Sequence, residues 1–359
     1  MKKTEKEYQH YVPKFYLRYF SRNEKYIGTY IQEKEKFIDK APLDSVGGKK
    51  FLYGDDGKIE DWFSKLESIW SKLFNRIIDG EKIEFHSNEE VELFLAFIFL
   101  SDARNLELED EINEFLNNLK TISKENNPYI QELSSINPYY FAIGALSKAL
   151  PLMFDLACVL IKNDSSNQFV TTDFIVTKYD PYLIEKGYKF GYGYAAIGLI
   201  CFLPISPKLC ICLYDDKIYD CKIKNGCIHI KNPNIINKLN QLFVFNSKKY
   251  IFYNENVDRN RLNTILKDKE RSKVFGDMLF ESEDGQNIIR LAKKSINKNF
   301  NIDIFKIKNK VKNKKINLDE SAPQRSSAYI NEEEYEIPQE ILSEINGKIF
   351  KGIDNKQKQ

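Results

Sequence analysis

Histidine occurs only three times in 359 residues, and no uninterrupted apolar run is long enough for a signal peptide core or a membrane span. Met1 is followed by Lys2, Lys3, Glu5 and Glu7, so export is not expected and a cytoplasmic location is. The most lipid-like stretch, Ser135 to Lys162, is broken by Lys148, Pro151 and Asp155. It is therefore read as two buried helices, and no membrane partner is expected. The six cysteines, at 158, 201, 210, 212, 221 and 227, contain no C-x-x-C pair, so reduced, buried thiols are the first reading. A zinc site from Cys210, Cys212, Cys221, Cys227 and His229 competes with it, but lacks the usual two-to-four spacing on a turn; Cys210 and Cys212 in a strand would at least share a face. The absence of a G-x-S-x-G elbow, an H-E-x-x-H helix and a P-loop disfavours a serine hydrolase, a zinc protease and a nucleotide-driven motor. An excess of one charge is also lacking. Lys+Arg number 54 and Asp+Glu 52, a net of +2, so any nucleic-acid-binding surface must be local.

What is present is the material of a packed protein, 42% hydrophobic and 13% aromatic. Tyr26 to Ile31 followed by Lys36-Phe37-Ile38 suggests a hairpin. Ile59, Trp62, Phe63, Leu66, Ile69, Trp70, Leu73 and Ile77 recur at three and four, one face of a helix. Ser87 with Glu90 forms a capping box before a second apolar helix that runs through Arg104 and extends with a break toward Leu119. Asn137-Pro138 opens another helix. From Gln168 the text turns β-branched and aromatic: strands are expected at 169–172, 197–203, 209–214, 218–223 and 227–230, with Asn225-Gly226 as a hairpin turn. Helices follow near 235–243 and 258–266.

This order predicts an α+β fold, a helical N-terminal half (about 56–163) packed on a mostly antiparallel sheet (about 168–255), in one domain over 1–305. Residues 306–359 read as a charged extension. It begins with a basic linker and continues through Ser321 to Ser327 into a short acidic amphipathic helix carrying Glu332 to Glu336 and Ile341, Leu342, Ile345 and Ile349.

Several separated segments resemble one bacterial family, domain of unknown function 4238. They are Gln9-His10-Tyr11-Val12-Pro13-Lys14-Phe15-Tyr16-Leu17-Arg18-Tyr19-Phe20-Ser21, the helix with Ile59-Glu60 and Leu66-Glu67, Phe97 to Arg104, Phe169-Val170-Thr171-Thr172-Asp173, Phe202 to Pro207, and Leu239-Asn240. Order and approximate spacing hold from residue 9 to about 253. Two departures concern turns: the family's arginine is usually followed by Thr-Pro where this chain has Asn105-Leu106, and its aspartate by Asn-Pro where this chain has Phe174-Ile175. The resemblance implies no established activity, though such proteins look like components of bacterial defence or toxin loci.

His10, among aromatics, could be a neutral general base or a metal ligand, or could simply pack and hydrogen-bond backbone. Glu60 and Glu67, seven apart, share a helix stripe but lie about 10 Å apart along the axis by the ~1.5 Å rise per residue, too far for one ion. Glu67 is the better placed, with Glu60 on a solvated face. Arg104 could grip a phosphate or carboxylate, or only complement the helix dipole. Asp173 closes an apolar strand and could serve a site or cap a turn. Taken together, His10, Glu67, Arg104 and Asp173 are expected as a catalytic set for nucleic-acid hydrolysis in a nuclease-like effector, with Glu67 and Asp173 binding Mg2+ or Mn2+. Lys306, Lys308, Lys310 and Lys312 alternate with apolar residues and could track the nucleic-acid backbone of RNA or DNA, or form a solvated linker. The competing function is non-catalytic recognition in a defence system, with the polar residues knitting the halves together and the C-terminal extension engaging a protein partner.

Overall fold

The computed structural model describes residues 7–122, 137–144, 146–189, 191–267, 274–281, 288–316 and 323–327. The expected acidic helix at 332–349 lies outside these residues.

The fold is α+β. The N-terminal strand β1 (Tyr8–His10) pairs antiparallel with β4 (Gly48–Lys50) and leads into the short helix α1 (Lys14–Arg18). Between them, β2 (Tyr26–Ile31) and β3 (Lys36–Pro42) make the expected hairpin. Helix α2 (Lys58–Gly80) buries Ile59, Phe63, Leu66, Trp70, Leu73, Phe74 and Ile77, the face its periodicity marks. Helix α3 (Asn88–Ala103) starts at Ser87, whose hydroxyl accepts from the Glu90 amide, and stops at Arg104. Asn105 then opens α4 (Leu108–Ile122): its side-chain oxygen accepts from the Glu107 and Leu108 amides, so the residue found here in place of Thr-Pro supplies the cap itself.

The segment read as two buried helices is different. Short helices at Pro138–Gly144 and Leu146–Ala149 give way at Leu150–Met153 to a 3-10 turn, and Ala157–Asn163 is strand β5. An uninterrupted apolar run such as Val159-Leu160-Ile161 has no period to separate helix from buried strand, and its β-branched content decides for the strand. β5 lies inside a five-stranded sheet of order β11-β5-β9-β8-β7, made with β7 (Thr177–Tyr179), β8 (Ile200–Pro204), β9 (Leu209–Tyr214) and β11 (Cys227–Ile230). Only the β11–β5 pair is parallel. A second, antiparallel sheet has the order β3-β2-β12-β6, with β6 (Thr171–Thr172) and β12 (Tyr250–Tyr253). Asn225 (φ 52°) and Gly226 (φ 75°) form the left-handed turn anticipated before β11. The expected strand 218–223 shortens to β10 (Tyr219–Asp220). Helices Pro233–Asn246 and Arg259–Lys267 cover the sheets.

The stretch read as a basic linker docks. Lys306–Ile307 is a short strand that pairs with β10, Asn309–Lys312 is helical, and the carbonyls of Lys312 and Lys314 accept from Lys186 Nζ. Ile307, Val311 and Ile316 pack against the main core, which is why the segment does not run free. Further on, Gln324 bridges Ala196 and Arg325 is 5% exposed. Its guanidinium bonds both oxygens of Asp155 at 2.9 Å and donates to the carbonyls of Leu152, Tyr194 and Ala196.

Candidate functional site

Of the four residues expected to act together, three meet. Arg104, 2% exposed, sits at the end of α3 with its planar face 3.7 Å from the centre of the Phe63 ring. Its Nη1 donates to Glu67 Oε1 at 2.9 Å, its Nε to the Tyr53 hydroxyl at 2.8 Å, and its Nη2 to the backbone carbonyl of His10. Tyr53 Oη donates to that same carbonyl at 3.0 Å. The guanidinium therefore joins the N-terminal strand, the loop before α2, α2 and α3 at one point. Three of its five N–H groups are engaged by protein, and at 2% exposure the group presents no open fork to a phosphate.

His10 contributes its backbone to that knot and its ring to another. Nε2 lies 3.3 Å from the Leu43 carbonyl, so that nitrogen carries the proton and Nδ1 is the acceptor. Burial, followed by the positive charge of Lys14, lowers the ring to about 4, and it is uncharged at neutral pH. The ring lines an open groove of about 760 Å3 between α1 and α2, with Lys14, Arg18, Asp44, Glu60, Ser64 and Glu67 among its walls. Glu60, Ser64, Glu67, Ser68 and Ser71 form a polar stripe of α2 along the flank of its buried face. Carboxylates outnumber cations here, with Glu7, Asp44, Glu60 and Glu67 against Lys14 and Arg18. Phosphate is not favoured in such a groove.

Asp173 is not on that groove. It is 3% exposed at the end of β6, where Oδ1 accepts from the Lys248 amide at 3.0 Å and Oδ2 from the Lys249 amide at 2.6 Å. Burial raises it to about 6 against the opposing pull of those amides. It caps the turn that leads into β12. Because Glu67 is held by Arg104 and Asp173 by backbone amides of a different turn, the two acids do not form a shared ligand set for Mg2+ or Mn2+. Among the described residues no group of three or more His, Cys, Asp or Glu is arranged to hold a metal ion, the Cys210, Cys212, Cys221, Cys227 and His229 set included.

The four lysines separate as well. Lys306, Lys310 and Lys312 are exposed, as are Lys314 and Lys315, whereas Lys308 is half-buried with its ammonium on the Asp216 carbonyl and 3.6 Å from Asp220. The extended alternation read from the sequence is limited to Lys306 and Ile307.

Sequence reasoning missed a second cluster. Lys178 Nζ lies 2.5 Å from Asp102 Oδ2, both side chains largely buried, and Tyr194 Oη donates to the same oxygen at 2.9 Å. The signal was a lone lysine inside apolar strand text and a lone aspartate near the end of an apolar helix. Neither matches a motif.

No helix among the described residues is long and apolar enough to cross a membrane. A family model described as a protein of unknown function, DUF4238, matches residues 8–256. No curated protein and no solved structure matches the chain.

Proposed function

For a chain that belongs to the DUF4238 family, whose description carries no activity, we propose a non-catalytic recognition protein that holds a polyanionic nucleic-acid backbone on its docked lysine segment, in the cytoplasmic defence setting the family resemblance implies. The observation that carries this reading is the contrast between two sets of charges. Arg104 and Asp173 are buried on protein partners and Glu67 is ion-paired with Arg104 through Oε1, whereas Lys306, Lys310, Lys312, Lys314 and Lys315 are exposed on a folded segment with no carboxylate partner among the described residues. Side chains fixed on such a surface bind by releasing counterions from phosphates, which needs neither a metal nor a cleft.

The test is fluorescence anisotropy with labelled duplex RNA and duplex DNA over a salt series. Binding should weaken steeply with salt, and the combined variant Lys310→Glu, Lys312→Glu, Lys314→Glu should lower the log–log slope by about 3, at ~0.9 for each phosphate no longer neutralised. Salt-independent binding, or an unchanged slope in the triple variant, sinks the proposal.

One observation favours hydrolysis as a second reading. His10 is neutral, its tautomer is fixed by Leu43, and it lines the groove beside Glu67 and Ser64. Its test is cleavage of the same labelled strands: product that disappears in His10→Gln while the protein stays folded supports hydrolysis, and absence of product removes it.

A further inference from the structure

Residues 323–327 are bound to the body of the fold in the manner of a peptide ligand. The Ile197 amide donates to the Pro323 carbonyl and the Arg325 amide to the Ala195 carbonyl, both at 2.8 Å, and Gln324 bridges Ala196 antiparallel. The segment therefore lies extended along 195–197. Of its five residues only Arg325 is buried. We propose that the pocket receiving Arg325 is a recognition site for arginine-bearing protein segments in extended form, filled in the resting chain by its own residues 323–327 and open to a partner protein that presents the same chemistry.

The pocket matches a guanidinium donor for donor. Nε and Nη2 donate to the two oxygens of Asp155 at 2.9 Å, Nη1 donates to the carbonyls of Tyr194 and Ala196 at 2.8 Å, and Nη2 also donates to the Leu152 carbonyl. All five N–H groups of the side chain are thereby accepted. Lysine, a point charge with three donors, does not span that ring of acceptors. The acceptors are fixed independently of the arginine. Leu152 and Asp155 belong to the turn that enters β5, and Tyr194 is held at its hydroxyl by Asp102 at 2.9 Å. An emptied pocket keeps a buried carboxylate and three carbonyls aimed at one point, so little ordering remains when another arginine arrives.

The neighbouring contacts set a reading frame. Side chains two apart on an extended segment share a face. Accordingly Ser327 also reaches Asp155, donating from Oγ to Oδ2 at 2.6 Å, and accepts from Lys217 Nζ at 2.6 Å. Pro323 supplies a carbonyl and has no N–H to satisfy. The site thus reads a carbonyl two positions before the arginine and a hydroxyl two positions after it. Pairing along a short edge with one buried anchor is peptide recognition by strand addition. None of these contacts depends on the segment belonging to the same chain. Tethering gives the chain's own segment its advantage, an effective concentration in about the millimolar range.

The experiment uses the full chain carrying Arg325→Ala and, as probes, a labelled peptide of residues 321–329 and a reduced peptide that keeps only its proline, its arginine and the second serine, with alanine elsewhere. Fluorescence anisotropy should show saturable binding of both peptides to the variant and far weaker binding to the wild type, whose pocket is filled. Lysine in place of the peptide's arginine should weaken binding at least about tenfold. Asp155→Asn added to the variant should do the same. If Arg325→Ala does not fold, hydrogen exchange of the wild type decides: excess unlabelled arginine peptide should speed exchange across residues 324–327, and the lysine peptide should not. No saturable binding to the folded variant, failure of the reduced peptide, equal affinity for the arginine and lysine peptides, or equal binding by wild type and variant would overturn the assignment. A wild-type dimer in sedimentation that is lost in Arg325→Ala would assign the pocket to exchange between copies and overturn the reading of a different partner.

Discussion

The guanidinium of Arg104 reaches the backbone carbonyl of His10 and not its imidazole. Two residues expected to cooperate in chemistry are thus joined through the main chain, while the ring faces a separate groove. Arg104 holds the N-terminal strand against α2 and α3, with Glu67 as its counter-charge.

Arg104→Ala should therefore be among the more damaging single substitutions. It strips a buried cation from a partly buried carboxylate and leaves the Tyr53 hydroxyl and the His10 carbonyl to rearrange, a loss of about 3 to 5 kcal/mol. Arg104→Lys keeps the charge but not the three-way fork and should fall between. Thermal denaturation reads both. A melting temperature equal to wild type in Arg104→Ala would contradict the anchoring role.

The acid side of the stability profile has two opposed contributions. His10 is lowered from 6.5 to about 4 by burial, so the unfolded chain binds its proton more readily; this stabilisation is present above pH 6.5 and is lost as pH falls toward 4. Asp173 is raised from 3.8 to about 6, so the folded chain binds more protons between those values; its contribution favours folding at the acid end and disappears as pH rises through 6. Each displacement corresponds to about 3 kcal/mol, so the two nearly offset between pH 4 and 6. His10→Gln should make denaturant stability fall across that interval as pH rises, and Asp173→Asn should make it climb. Parallel profiles for wild type and both variants would refute this account.

Arg325 places a segment with the composition of a linker against the body of the fold. Arg325→Ala should release residues 323–327 without unfolding the sheets, because the bonds it breaks tie only one short segment to Asp155 and three carbonyls. Limited proteolysis should then cut near 323–327 far faster than in wild type. The melting temperature should drop less than in Arg104→Ala. Equal cleavage rates would show that Asp155 does not hold this segment.

Cys201, Cys210 and Cys212 are buried in the five-stranded sheet, and burial pushes the Cys201 thiol up to about 12. Thiolate is the reacting form, so iodoacetamide at pH 8 should leave these three unmodified in the native protein and alkylate them in denaturant. Mass spectrometry of the peptides distinguishes the cases. Rapid native alkylation of Cys212 would mean that the sheet opens readily.

Elements with a clear period were legible in the letters: α2 from its three–four spacing, α3 from Ser87 and Glu90, the β2–β3 hairpin, β9, and the Asn225-Gly226 turn. The same was true of the family, because its signature is spread over most of the chain. β5 was not legible, since an apolar run without alternation fits either kind of buried element.

Of the candidate site, residue types could be read but not their partners. The letters supplied His10, Glu67, Arg104 and Asp173 as polar groups in apolar surroundings, a property of local composition. Whether such groups face a substrate or one another depends on which chain segments pack side by side, and hydrogen bonds between residues tens of positions apart leave no local period. That is why tertiary structure alone assigned Arg104 to the His10 carbonyl, Asp173 to a turn near residue 248, Arg325 to Asp155, and Lys178 to Asp102.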